Sequence, residues 1–183
     1  EKLYMAKKRV LITGGAGFIG SHLVKALANQ NGWDIVILDA LIEQVHPKGS
    51  WKKPSNITFF HGNICDREIV AKALVGVEYI VHLASETGVG QSAYEISRYV
   101  NANEHGTAVL LEEISKNANQ IKSFVLASSR AVYGEGRYLC DKCGPVFPLG
   151  RPVVELKLGN WEPLCPLCFK DIEMQASWED QPL

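Results

Sequence analysis

Glycines at positions 14, 17 and 20 stand between an apolar run, Arg9-Val-Leu-Ile-Thr13, and a segment from Phe18 to Asn29 in which Ile19, Leu23 and Leu27 recur at helical spacing. A chain that leaves a strand, turns within a few residues and enters a helix is committed to a strand–helix unit, the repeating element of a parallel sheet. Gly14 allows the tight turn, Gly17 lets the backbone approach a bound group, and Gly20 permits close helix-to-strand contact. The unpaired N–H groups where this helix begins, around Phe18 and Ile19, then face phosphate. The next run, Asp34-Ile-Val-Ile-Leu38, ends in Asp39. It lies about 20 residues past the glycines, where a carboxylate accepts both ribose hydroxyls of a dinucleotide and repels a 2′-phosphate. The combination points to NAD rather than NADP; a solvated strand-end acid is the plainer alternative for Asp39.

The 183 residues, 46% of them hydrophobic, suffice for one ordinary domain with a small addition. Lys and Arg number 19 against 20 Asp and Glu, with no long run of either sign, so neither nucleic acid nor an anionic membrane is an expected partner. No apolar stretch approaches the ~20 residues of a membrane span, and the charged start, Glu1 to Lys8, is unlike a secretory leader. The reading is a cytoplasmic protein with a small-molecule partner.

Further strands are expected at Ile57-Thr-Phe-Phe60, Tyr79-Ile-Val-His-Leu83 and Ser123-Phe-Val-Leu-Ala127, with helices over Asp66 to Leu74 and roughly Tyr94 to Lys116. Residues 40–56 read as a loop or irregular crossover. Alternation of short strands and helices makes this an α/β chain with a parallel sheet. After Tyr133-Gly134 the character changes to prolines, glycines and cysteines with little periodicity. The expected organisation is a dinucleotide-binding part over 1–136, a cysteine-rich module over 137–170, and the start of a truncated C-terminal part over 171–183.

Cys140-Asp-Lys-Cys143 and Cys165-Pro-Leu-Cys168 are two C-x-x-C pairs with 21 residues between them. Each pair can form a knuckle supplying two thiolates, and four thiolates close a tetrahedron with no open position for water. A structural metal is expected, with zinc favoured over iron; a redox role is weaker, because neither pair opens a helix that would lower a thiol pKa. Cys65 reads as an ordinary buried thiol.

The sequence resembles the extended short-chain dehydrogenase/reductases, specifically the NAD-dependent nucleotide-sugar epimerases and dehydratases. The resemblance rests on Thr13-Gly-Gly-Ala-Gly-Phe-Ile-Gly20, Asp39, Gly62-Asn63-Ile64, Val81-His-Leu-Ala84, Asn103-Glu-His-Gly-Thr107 and Ser128-Ser-Arg-Ala-Val-Tyr-Gly134. It implies a Rossmann-type doubly wound parallel sheet, here with a small zinc-ribbon-like insertion. It implies that Asn63, where the family usually has Asp, and Ile64 border the adenine, and that Leu83 and Ala84 line the crevice by backbone contact. Asn103 is implied to support the cofactor side, Ser128 to lie beside the nicotinamide, and Ser129 to be the catalytic hydroxyl that bonds the sugar oxygen. Ser129 read by itself is a strand-end cap, and His82, inside an apolar strand, reads as a satisfied core residue.

Family members that dehydrate the sugar tend to carry an Asp-Glu pair after the catalytic hydroxyl, since eliminating water needs an acid and a base. Arg130-Ala131 stand there in this chain. The expectation is therefore 4-epimerisation of a dTDP- or UDP-hexose. The four cysteines, Ser129-Arg-Ala-Val-Tyr-Gly-Glu-Gly136 and Gly159-Asn-Trp-Glu-Pro163 resemble the dTDP-L-rhamnose 4-epimerase and UDP-glucose 4-epimerase-like branch. The family's reaction also uses a Tyr-x-x-x-Lys pair, and the one match, Tyr138 to Lys142, falls inside the cysteine module. The pair and the C-terminal substrate region are expected past Leu183, leaving a chain inactive alone, and the resemblance implies a homodimer at full length. The alternatives are a nucleotide-sugar dehydratase and a non-catalytic NAD sensor or scaffold with a zinc interaction module.

Overall fold

The computed structural model describes residues 7–48, 50–116 and 118–181. They fall into two compact units divided between Ala127 and Ser128, earlier in the chain than the boundary expected after 136.

In the first unit, β1 (Lys8–Thr13), β2 (Trp33–Asp39), β3 (Thr58–His61), β4 (Tyr79–His82) and β5 (Ser123–Leu126) form one sheet in the order β3-β2-β1-β4-β5. Every pairing is parallel. Side chains alternate along a strand, so β1 and β2 each sort their apolar residues onto both faces. Leu11, Val36 and Leu38 pack on one face with Val70 and Ala73 of α2 (Arg67–Ala73). Val10, Ile12, Ile35 and Ile37 pack on the other with Val24 of α1 (Phe18–Ala28). Burial on both faces is why these strands read as near-continuous apolar runs. Asp66 caps α2, its side chain accepting from the N–H groups of Glu68 and Ile69.

The expected long helix is segmented. Short helices α3 (Val89–Ser92) and α4 (Ile96–Tyr99) lead into a π-helical turn, Val100–His105, and then α5 (Gly106–Ser115), whose Val109 and Leu110 join the α2 side of the core. A π-helical turn is rare and marks a place where a helix is held off its regular hydrogen bonding, often at a site. Among the described residues no helix is long and apolar enough to cross a membrane.

The second unit has more regular structure than its composition suggests. A 3₁₀ turn, Arg130–Tyr133, precedes the hairpin β6 (Tyr138–Cys140) and β7 (Gly144–Val146). A helix, α6 (Val153–Lys157), follows, and β8 (Glu173–Met174) pairs antiparallel with β6. Glu173 and Met174 thus extend the cysteine module's sheet, which the polar sequence after Asp171 did not signal. The buried core is Tyr138, Cys140, Val146 and Cys165, with Cys143, Cys168 and Ile172 against it. Tyr138 is therefore a core residue rather than an exposed acid or base.

The residue after the second cysteine of each knuckle has a positive φ, +75° at Gly144 and +58° at Phe169. A left-handed residue with a Cβ is strained by roughly 1–2 kcal/mol, and the Phe169 ring is largely exposed. Phe169→Gly is expected to stabilise the second unit by about 0.5–1 kcal/mol, after allowing for the greater unfolded-state freedom of glycine. A thermal or urea midpoint unchanged or lowered would refute it.

Candidate functional site

The C-terminal ends of β1, β2 and β4 are in register, Thr13 lying opposite both Leu38 and His82. The chain departs in opposite directions from β1 on its two sides, opening a crevice at the strand ends, the position where parallel sheets bind ligands. Gly14 turns there with φ +66°, and a Cβ on it would lie 2.7 Å from the Ala84 nitrogen. The turn is thus locked against the start of the β4 loop. No side chain caps the first turn of α1, whose N-cap is Gly17.

Gly14, Gly17, Asp39, Asn63, Ile64, Leu83 and Ala84 line one cleft of about 140 Å³. Gly20 lies beneath it, packed on the Gly14–Gly15 backbone. The Phe18 and Ile19 side chains are 81% and 65% exposed, and neither residue lines the cleft. Asn63 directs its Oδ1 to the Cys65 N–H, 2.9 Å, and holds the turn after β3. Cys65 is half-buried, its thiol 3.2 Å from the Asn101 carbonyl oxygen; burial raises its pKa.

Asp39 is 8% exposed. Its Oδ2 accepts from the Ala16 N–H at 2.9 Å and its Oδ1 from the Leu41 N–H at 2.8 Å. The carboxylate thereby pins the glycine turn on one side and the loop after β2 on the other. Each oxygen retains a lone pair for a ligand hydroxyl.

A second cavity, lined by His82, Ser85, Asn103, Thr107, Leu126 and others, shares Leu83, Ala84 and Ser85 with the first. Asn103, in the π-helical turn, accepts from the Glu86 N–H and Ser85 Oγ at 2.8 and 3.1 Å and donates to the Glu86 carbonyl. Arg98 grips the Glu86 carboxylate with Nε and Nη2, at 3.0 and 2.8 Å. The loop after β4 is consequently held by its backbone and its one acidic side chain.

Sequence reasoning missed the network that sets Asn103. Thr13 Oγ1 accepts from the N–H groups of Leu83 and Ala84, both 3.2 Å, leaving its own proton for His82 Nδ1 at 2.6 Å. His82 then carries its proton on Nε2 and donates to Thr107 Oγ1 at 3.0 Å, and Thr107 donates to the Asn103 carbonyl at 2.5 Å. All hydroxyl and imidazole protons are accounted for only if His82 is neutral. A second ring proton would meet the Thr13 hydroxyl proton head-on.

Burial lowers the His82 pKa below its usual 6.5. The unfolded chain therefore binds more protons between the folded value and 6.5, and stability falls as pH drops through that window. The urea midpoint of the first unit is expected to fall more from pH 7.5 to 5.5 in the wild type than in His82→Asn, which cannot ionise. Equal slopes would refute the assignment.

Ser128 and Ser129 open the second unit, and the Ser129 hydroxyl accepts from the Ala131 N–H at 3.1 Å, capping the 3₁₀ turn. In the same unit the four sulfurs of Cys140, Cys143, Cys165 and Cys168 lie within 4.8 Å of one another. Cys140 and Cys168 are 3.6 Å apart at sulfur. Four thiolates at about 2.3 Å from a tetrahedral zinc would be about 3.8 Å apart, so the donor set fits that ion. Although burial opposes it, the Leu167 and Cys168 N–H groups donating to Cys165 bring its thiol down to about 7. Hydrogen bonding to Cys168, with burial, pushes Cys143 up to about 12. Thiols so crowded compete for protons, and a divalent cation resolves the competition by taking their place.

Residues 10–148 match the family model described as NAD dependent epimerase/dehydratase family. A dTDP-glucose 4,6-dehydratase of Streptomyces niveus is 37% identical over 153 residues, covering 76% of this chain and 44% of that protein. A dTDP-L-rhamnose 4-epimerase of Burkholderia thailandensis is 35% identical over 162 residues, covering 85% of this chain and 44% of that one. The solved UDP-glucose 4-epimerase from Brucella ovis in complex with NAD superposes with a TM-score of 0.59 at 31% identity, covering 69% of this chain and 37% of that one. The chain spans less than half the length of these relatives. With the strand order, the glycine turn and the crevice beside it, these matches establish that the chain belongs to the NAD-dependent epimerase/dehydratase family.

Proposed function

We propose that this chain is the cofactor-binding part of an NAD-dependent nucleotide-sugar 4-epimerase. The observation that carries the reading is the crevice at the strand ends, with the glycine turn on one wall and the Asp39 carboxylate at one end. The α1 N-terminus suits a pyrophosphate, and Asp39 suits the adenosine ribose hydroxyls. Asn63 and Ile64 border the adenine, and Leu83 and Ala84 follow the dinucleotide toward the second cavity. Asn103 keeps the loop after β4 in place there. NAD, when bound, supplies a hydride acceptor for C4 of the sugar. Ser128 and Ser129 take the family's nicotinamide and sugar-oxygen roles by their place in the Ser128 to Gly134 motif.

The dehydratase reading has a specific observation behind it, the similarity to the Streptomyces niveus protein. Arg130-Ala131 weigh against it, because neither side chain can serve as the acid–base pair that elimination needs. We further propose a structural zinc on Cys140, Cys143, Cys165 and Cys168, a homodimer for the whole enzyme and a cytoplasmic location. The test is to incubate the enzyme containing this chain with NAD and dTDP- or UDP-hexoses and identify the product sugar by NMR. A 4-epimer is expected. A 4-keto-6-deoxy product would assign the dehydratase instead, and a chain that binds no NAD would overturn the reading altogether.

A further inference from the structure

The described residues of the loop after β2 form no helix or strand, yet the loop returns a histidine to the strand end it left. Leu41 is held at φ +48°, a conformation that costs a non-glycine residue energy, by donating its N–H to Asp39 Oδ1. Val45 and His46 then close a turn on the Ile42 carbonyl, at 3.0 and 2.8 Å. Within that turn Gln44 reaches across to α3 and α4, exchanging hydrogen bonds with the Gln91 amide at 3.0 and 3.3 Å and accepting from Arg98 at 3.3 Å. Anchored at both ends, the loop places His46 Nε2 3.9 Å from Asp39 Oδ1, with the two side chains 11% and 8% exposed and both lining the cleft.

That separation is too long for a direct hydrogen bond and fits one oxygen between the two groups. An oxygen bridging them at ordinary distances, about 2.7 Å from the carboxylate and 2.9 Å from the imidazole, subtends an angle near 90°. A hydroxyl satisfies both ends: it donates its proton to the carboxylate and accepts from Nε2–H. A phosphate oxygen at the same place has no proton for Asp39 and meets its charge instead.

We propose that His46 is the second half of a hydroxyl clamp with Asp39, holding one hydroxyl of the adenosine ribose and contributing to the selection of hydroxyl over phosphate there. The inference rests on the NAD reading and deepens it. His46 is a binding and specificity residue, with no part in hydride transfer.

The test is calorimetric titration of the chain with ADP, 2′-deoxy-ADP and 3′-deoxy-ADP, alongside NAD. In the wild type, one of the two deoxy analogues is expected to bind about tenfold more weakly than ADP. In His46→Ala that discrimination falls to about threefold or less, because one of the hydroxyl's two partners is gone. His46→Gln, which keeps an N–H donor, recovers part of it and guards against a folding defect in the alanine variant. If NAD and ADP bind and His46→Ala keeps the full discrimination, the clamp is wrong while the NAD site stands. If the wild type binds neither NAD nor ADP, the underlying reading fails and takes the clamp with it.

Discussion

Cys165→Ser is expected to release the metal from the second unit and to unfold the sheet formed by β6, β7 and β8. The unit's buried core is two cysteines, a tyrosine and a valine. So small an apolar core cannot offset the conformational entropy of ordering some fifty residues, and such modules depend on a metal or disulfides. A structural zinc held by four thiolates contributes on the order of 10 kcal/mol at neutral pH, and in a small module that is folding free energy. Serine lacks a thiolate, and Cys165 is the fully buried member of the proposed ligand set, its carbonyl also accepting from the Phe169 N–H at 2.9 Å. Elemental analysis of the wild type should find about one zinc per chain, and hydrogen exchange in the variant should show protection lost around Tyr138 to Val146. A wild type free of metal, or a variant with undiminished protection, would refute the prediction.

Gly20→Ala is expected to abolish NAD binding and to destabilise the first unit by about 3 kcal/mol or more. A Cβ there would overlap the Gly14 carbonyl oxygen and come within 2.7 Å of Gly15 Cα and 2.9 Å of its carbonyl carbon. Overpacked side chains cost roughly 1–3 kcal/mol because neighbours can shift; here both sides are backbone, and the shift would move the turn itself. Moving it also breaks the Ala16 N–H bond to Asp39, so the carboxylate proposed to hold the ribose loses its orientation. Urea denaturation and NAD titration measure the two effects separately. A variant within 1 kcal/mol of the wild type with unchanged affinity would show that the turn has slack the geometry does not reveal.

How much of this was legible beforehand depends on how local each feature is. All five strands of the first unit sit where their apolar runs placed them, within a residue or two. β1 and β2 are buried on both faces, so their apolar residues run almost unbroken. The glycines and Asp39 were legible because their spacing encodes the geometry of one strand–turn–helix–strand unit. The cysteines were legible for the same reason, each pair being a local knuckle. The pairing of β8 with β6 was not, because two residues of strand leave no periodicity to read.

The single-residue roles divide along the same line. The sequence by itself determined the α/β class, the parallel sheet, the glycine turn with its acidic partner and the grouping of four thiols in two pairs. Each of these depends on residues a few positions apart, whose geometry the backbone dictates. Only the tertiary structure decided that Thr13, His82 and Thr107 form one proton-ordered chain onto Asn103, and that His46 returns to Asp39. Those contacts are made between side chains on different elements, or across a loop shaped by Asp39 and Gln91 rather than by its own propensities. Their distances come into being only when the sheet has assembled and brought its strand ends together.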